Sequence, residues 1–350
     1  MMIAKKILGV AKAATLDNDS PDVLRQGYSS IWEKNMADKV FKTYREQRQL
    51  LESRGLIIAH GRFFTNRMQE DDYYNIINGY KQYFLTGTAP ERYIRDTTFE
   101  QVYALYDFDQ TIRSLFLVEL IKIEKHLKSL IAYHFSEKHG YDHRTYLTLN
   151  CFKNESNRNV QYANDIIKRL GHDISVFRRQ GNTAICHYME AYGYVPLWVL
   201  NSAISFGRIA HFYSCMKLSE QQAVAQHFKM SARTLDGFIY FLDDFRNACA
   251  HGNRMYTSNK RSGHQKFIPD TVEHEKMGIP RNQEGNYISG KTDVLAKLIA
   301  LKYFSKSPDF RTLKRRFQAG HKKLEKIIPA SILMNIDAEM GISPERLSFL

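Results

Sequence analysis

The chain has 350 residues, 43% hydrophobic and 25% charged, which is enough to bury a sizeable core and excludes a globally disordered protein. Lysine and arginine number 50 against 37 aspartates and glutamates, a formal net charge of +13. We therefore expect a polyanionic partner, with nucleic acid ahead of a membrane surface.

No stretch of eighteen uncharged apolar residues is present, so the sequence predicts no membrane-spanning helix. The opening segment MMIAKKILGVAKAAT resembles a signal peptide, but Lys12 interrupts an apolar run that is already too short, and we interpret it as an N-terminal helix or tail. The cysteines form no zinc or redox motif and are expected to be reduced core thiols of a cytoplasmic protein. They are Cys151, Cys186, Cys215 and Cys249.

Helical periodicity dominates the sequence and strand alternation is scarce, which predicts an all-α fold. Residues 1–90 are interpreted as an N-terminal accessory helical region. Within it, short helical segments lie between Ala37 and Leu85, with a turn at His60 and Gly61. The segment from Thr86 to Pro90 predicts the end of this region.

The main helical body is predicted over residues 91–256. Its longest helix runs from Phe99 to His139, where apolar residues recur at helical spacing, and Gly140 ends it. Ser219 and Ser231 are predicted N-caps of later helices. Those later helices are expected at roughly 157–170, 183–192, 196–215, 219–228 and 232–251.

Beyond residue 256 the composition changes to glycine, proline, asparagine, serine and charged residues, which predicts a long loop over 257–292. Residues 293–350 are predicted to form a C-terminal helical extension that completes the bundle. A basic run in this extension is a candidate nucleic-acid contact or, as the alternative, a solvated helix face. Its members are Arg311, Lys314, Arg315 and Arg316.

The helix predicted to end near residue 251 carries the candidate catalytic residues. An apolar face with three phenylalanines anchors it in a core, whereas Asp243, Asn247 and His251 follow at four-residue steps on a second, polar face. An imidazole beside an amide near a helix C-terminus is well placed for proton transfer. Arg246 lies off that polar strip, so the sequence leaves open whether it reaches His251 in one chain or across a dimer axis.

The segment Arg246-Asn247-Ala248-Cys249-Ala250-His251 matches the Arg-x-x-x-x-His signature of HEPN RNases, including a polar residue after the arginine. Together with its flanking blocks, it resembles the abortive infection proteins of the AbiD/AbiF type over most of residues 40–330. The blocks include LLESRGLII at 50–58, YYNIINGYKQYF at 73–84, PLWVLNSAISFGRIAHFY at 196–213 and RNACAHGNRMY at 246–256.

The resemblance implies a HEPN-type helical bundle, usually a homodimer with a composite site, that cleaves RNA without a metal or other cofactor. The ribose 2′-OH would attack the adjacent phosphate, giving a 2′,3′-cyclic phosphate and a 5′-OH. His251 would act as general base or acid and Arg246 would bind the phosphate. Asn247 would orient His251 or contact the phosphate.

The resemblance also implies auxiliary residues and a second partner. Glu124 and Lys128 fit an acidic and basic pair that several HEPN families carry on an earlier helix, although a solvated ion pair is the alternative. Arg254 is a candidate RNA contact or a residue that merely complements the helix dipole. Some relatives lie beside a structured non-coding RNA, so a regulatory RNA is a candidate partner in addition to the RNA substrate.

Other interpretations compete with each of these assignments. Arg246 and His251 alternatively close a helix end as a buried polar pair, in a catalytically silent RNA-binding scaffold or sensor. A DNA-binding regulator with a helix-turn-helix at 219–247 is a third hypothesis, which phenylalanines and aspartates in the recognition helix disfavour. His134, His139 and His143 are interpreted as exposed helix-end residues, and Trp198, Phe206 and Phe212 as core residues.

Overall fold

A computed structural model describes residues 40–88, 90–257 and 266–350. Its described residues from Leu51 onwards belong to one compact unit, Leu51–Leu350. The predicted N-terminal helix or tail and residues 258–265 of the predicted loop lie outside the described residues. Among those described, helices form nearly all of the regular structure, which confirms the predicted all-α fold. The predicted boundaries at residues 90, 256 and 292 stay predictions.

The segment before the longest helix combines short helical elements with a hairpin. Its elements are α1 Tyr44–Ser53, α2 Gly61–Asp71, a π-helical segment Tyr74–Asn78, a 3₁₀ turn Lys81–Phe84, β1 Leu85–Thr88 and β2 Glu91–Tyr93. The two strands pair antiparallel, with Gly87 opposite Arg92. The hairpin occupies the segment where turn-forming residues predicted a boundary.

Helix α3, Phe99–His139, is the central element and matches its predicted bounds. Thr98 and Gln101 form a capping box at its start, and Gly140 ends it with a positive φ of 77° that favours glycine. Its apolar stripe is fully buried at Phe116 and Leu120. Local signals alone therefore define this helix.

The remaining helices follow in chain order. They are α4 His143–Tyr146, α5 Asn157–Arg179, α6 Thr183–Ala191, α7 Leu197–Leu200, α8 Phe206–Cys215, α9 Leu218–Gln226, α10 Ala232–Ala250, α11 Val272–Lys276, α12 Val294–Phe304, α13 Ser307–Glu325, α14 Ala330–Met340 and α15 Pro344–Phe349, with a 3₁₀ turn at Leu149–Cys151.

Three sequence predictions in this region were wrong in detail. The helix predicted over 157–170 continues to Arg179 as α5. The helix predicted over 196–215 is divided into α7 and α8, because Ser205 caps a new helix by accepting a hydrogen bond from the backbone N–H of Arg208. The N-cap of α9 is Lys217, whose backbone N–H donates to Glu220, instead of Ser219. Ser231 caps α10 as predicted.

Helix α3 packs against α10 on one side and α13 on another. Phe116 of α3 stacks on Phe317 of α13 and contacts Phe245 of α10 edge to face, with ring centroids 6.4 Å and 5.4 Å away. In the described part of the chain, no helix is both long enough and apolar enough to cross a bilayer. All four cysteines are free and three are buried, whereas Cys186 is only half-buried and so departs from the predicted core position.

Replacing Gly341 by alanine is expected to destabilise the protein by about 2–4 kcal/mol. Gly341 has φ +71° at the end of α14, and an added Cβ would overlap the carboxylate of Asp293. That buried carboxylate caps α12 and accepts hydrogen bonds from the N–H groups of Gly290 and Ala296, at 2.7 and 2.9 Å. Urea unfolding measures the change.

Gly278→Ala is the matched control, because Gly278 also has a positive φ, +58°, but nothing lies within 4 Å of its added Cβ. It should cost only the backbone strain, about 1–2 kcal/mol. Equal losses of stability in the two variants would show that the Asp293 carboxylate moves away from the added methyl group at no cost in free energy.

Candidate functional site

The end of helix α10 is held by a Schellman motif. The N–H of Gly252 donates to the Cys249 carbonyl, and the N–H of Asn253 donates to the Ala248 carbonyl at 2.9 Å. Gly252 has φ +72°, the left-handed conformation that this motif requires. His251 is thereby placed at the C-cap, where the chain leaves the helix.

The His251 side chain is exposed and lines a cleft of about 820 Å³, called here the His251 cleft. Within the described ranges its imidazole makes no hydrogen bond or ion pair. The cleft walls are rich in arginine, tyrosine and amide side chains. They include Tyr74, Asn75, Asn78, Tyr80, Gln82, Tyr83, Tyr106, Gln110, Arg113, Asn253 and Arg254.

Arg113 of α3 holds the chain that follows His251. Its Nη1 donates to the carbonyls of Gly252 and Asn253 at 2.8 and 3.3 Å. One turn earlier, the fully buried Asp109 accepts hydrogen bonds from the backbone N–H groups of Met255 and Tyr256, at 2.8 and 2.7 Å. The central helix therefore fixes both ends of the segment that follows His251.

Two further groups complete this buried network. The hydroxyl of Tyr80 donates to Asp109 at 2.8 Å, and Nζ of Lys297, in α12, donates to the carbonyl of Met255 at 2.8 Å. Burial raises the pKa of the Asp109 carboxyl in spite of these donors, and burial lowers the pKa of the Lys297 amine. Both shifts result from removing charged groups from water.

Asp109 and Arg113 were not among the residues predicted from the sequence. The available signal was an ionisable residue in an apolar stripe, since Asp109 lies three residues before Ile112 and seven before Phe116. At such positions a charged side chain is buried and needs partners.

The cleft also offers hydrogen-bond donors. Burial raises the pKa of Tyr83 and of Tyr106 to about 12, so both hydroxyls remain protonated at neutral pH. Arg254 is half-buried, and its Nη1 donates to the Gly79 carbonyl at 2.8 Å. Arg254 thus reaches the cleft wall instead of extending past the helix end into solvent.

Arg246 lies in a different cluster from His251. Its Nε donates to Oε2 of Glu124 at 3.2 Å, and Oε1 of the same carboxylate pairs with Lys128 at 2.8 Å. Only 9% of Glu124 is exposed, so the interpretation of Glu124 and Lys128 as a solvated ion pair was wrong. The packing of α10 on α3 brings the predicted auxiliary pair onto the predicted catalytic arginine.

Asn247 belongs to the Arg246 cluster. Its side-chain oxygen accepts from Nη1 of Arg246 at 3.4 Å and its amide donates to Asp243 at 3.2 Å. Burial raises the pKa of the Asp243 carboxyl. The Asn247 side chain bonds neither the His251 ring nor any other cleft group among the described residues, so within one chain it does not orient the imidazole.

The basic run lies on helix α13. Arg311, Arg315 and Arg316 are exposed and Lys314 is half-buried. Arg316 lines a second cavity of about 520 Å³ between α3 and α13, and Gln110 lines both this cavity and the His251 cleft. A basic side chain therefore lies beside a depression that adjoins the cleft.

The remaining candidates have other surroundings. His134, His139 and His143 are half-buried, so their predicted exposure was wrong, and the described residues contain no cluster suited to a metal ion. Their partners are His227 for His134, Glu220 for His139 and the backbone N–H of Val195 for His143. Phe206 and Phe212 are core residues as predicted, but Trp198 is 50% exposed.

The sequence model of a family described as Abi-like protein matches residues 66–257, more than half of the chain. This range contains the end of α10 with His251, the buried Asp109 with its backbone partners, and the Arg246 cluster. Lys297 and the basic run of α13 lie beyond it. Neither a curated protein nor a solved structure matches the chain.

Proposed function

This chain belongs to the Abi-like protein family, and from that premise we propose that it acts in abortive infection, a form of phage defence, as a metal-independent endoribonuclease of the HEPN type. The observation that supports this most is the position of His251. Its imidazole is exposed, unpartnered within the described ranges, and set among arginines and tyrosines at the end of the helix that carries the Arg-x-x-x-x-His signature.

In the proposed reaction His251 removes the proton from a ribose 2′-OH. The 2′-oxygen forms a bond to the adjacent phosphorus, the bond from phosphorus to the 5′-oxygen breaks, and the leaving 5′-oxygen takes a proton from water. The products are a 2′,3′-cyclic phosphate and a 5′-OH. Because the nucleophile is part of the substrate, the reaction needs no metal-bound water.

The phosphate would be bound by arginines. Arg254 lines the same cleft as His251, and its guanidinium is suited to bind a phosphate. Arg246 is held by Glu124 in its own chain, so we propose that it acts in a cytoplasmic homodimer, where Arg246 of one protomer flanks His251 of its partner. The exposed position of His251 at the helix end leaves room for such an approach.

An assay on defined substrates tests the proposed chemistry. Purified protein with end-labelled RNA in excess EDTA should give products with 2′,3′-cyclic phosphate and 5′-OH ends. The same RNA with a single 2′-deoxy substitution should resist cleavage at that linkage only, because it lacks the nucleophile. Products with 5′-phosphate ends, or cleavage that EDTA stops and Mg²⁺ restores, would exclude the mechanism.

One observation favours a second candidate function, a catalytically silent scaffold or sensor that binds RNA. The engagement of Arg246 by Glu124 at 3.2 Å is what a structural arginine would show. This alternative predicts RNA binding without cleavage. It also accommodates a regulatory non-coding RNA on the exposed arginines of α13.

A further inference from the structure

A second surface, here called the Trp198 patch, lies where α7 meets α3. It surrounds a cavity of about 420 Å³. The patch consists of Lys125, Lys128, Tyr133, Trp198, Asn201 and Ser202. Tyr133 is 63% exposed and Trp198 is 50% exposed, although indole and phenol rings gain stability from burial. Two large rings that remain open to solvent beside a cavity indicate a surface that a partner covers.

Asn201 supplies an independent sign of a missing ligand. It is only 4% exposed, and its side-chain amide donates to the Lys128 carbonyl at 2.7 Å. Its Oδ1, however, is buried and has no hydrogen-bond partner among the described residues. A buried acceptor without a donor is costly, and here it belongs to a side chain that lines the cavity.

The charge around the patch indicates what kind of partner fits. Lys125 is exposed and forms no ion pair within the described part of the chain. Lys128 pairs with Glu124, which in turn binds Arg246, so the patch adjoins the cluster that contains the predicted catalytic arginine. Because the chain carries a net charge of +13, a polyanion would be attracted to an unpaired lysine on this surface.

We propose that the Trp198 patch binds a base of single-stranded RNA, with the base stacked on Trp198 and Lys125 beside the neighbouring phosphate. An amino or imino N–H of the base donates to Asn201 Oδ1, which a rotation of the Asn201 side chain brings to the cavity. The strand is single because duplex RNA hides the faces of its bases. The inference rests on the proposed function in taking RNA as the ligand, and it adds a subsite that positions the strand near Arg246.

Trp198 itself can report the contact. The chain has only two tryptophans, so Trp32→Phe leaves Trp198 as the sole indole. Titrating this variant with a short single-stranded 2′-O-methyl RNA, which binds but lacks a free 2′-OH, should quench the Trp198 fluorescence in a saturable way. In the full-length protein, Trp198→Ala should raise the Kd for that RNA about 5- to 150-fold, and Trp198→Phe should raise it less.

One further variant tests the phosphate contact, and a second variant serves as the control. Lys125→Gln should lower the slope of log Kd against log salt by about 0.7, the effect of losing one phosphate contact on a single strand. Tyr192→Ala is the control, since Tyr192 is 55% exposed and lies outside the patch, and its Kd should equal that of the wild type.

The subsite proposal fails if RNA binds without changing Trp198 fluorescence and with the same Kd for Trp198→Ala as for the wild type. The RNase proposal is tested separately, by the cleavage assay. Trp198 emission that shifts with protein concentration in the absence of RNA would also overturn it, because a second copy would then cover the patch. If the wild type neither binds nor cleaves RNA, both proposals fail.

Discussion

Replacing His251 by alanine is expected to slow RNA cleavage by about 10²- to 10⁴-fold, the usual loss when a general base or acid is removed. The Kd for RNA should change little, because the His251 imidazole bonds no other described residue and the cleft keeps Arg113 and Arg254. Single-turnover cleavage at saturating protein separates the chemical step from binding. Thermal unfolding should be unaffected, since the imidazole is exposed.

His172→Ala is the matched control, because the His172 side chain is also exposed but lies on α5, outside the cleft. Its cleavage rate should equal that of the wild type. If His251→Ala cleaves as fast as the control, His251 is not a catalytic residue. The RNA-binding scaffold or sensor is then the remaining proposal.

Replacing Asp109 by alanine is expected to lower the free energy of unfolding by about 3–5 kcal/mol. The variant would leave the N–H groups of Met255 and Tyr256 and the hydroxyl of Tyr80 without an acceptor in a fully buried place. It would also remove a carboxylate that favours the charged form of Lys297, a side chain that is almost completely buried. The midpoint of urea unfolding measures this loss.

Asp109→Asn should cost less than Asp109→Ala, because an amide oxygen still accepts from the two backbone N–H groups. Asp107→Ala, at an exposed position on the same helix, should change stability by no more than about 0.5 kcal/mol. A loss for Asp109→Ala no greater than that for Asp107→Ala would mean that the buried network does not hold the segment after His251.

Helix α3 and helix α10 were predictable because their signals are local. The apolar stripe of α3 and the glycine that ends it lie within one continuous segment of the sequence. Ser231, which caps α10, directly precedes that helix. The same holds for the position of His251 at a helix end, which Gly252 enforces.

Caps and periodicity act over a few residues. The helical class, the bounds of α3 and α10 and the polar face that carries Asn247 and His251 could therefore be inferred from the sequence. Which of those side chains meet depends on the packing of the helices. Asp109 binds backbone 146 and 147 residues away, and Arg246 reaches Glu124 across 122 residues. The packing of the helices also leaves Trp198 exposed, although its helical spacing resembles that of the core residues. Such contacts depend on how whole helices pack, and no local pattern encodes the partner of a buried charge.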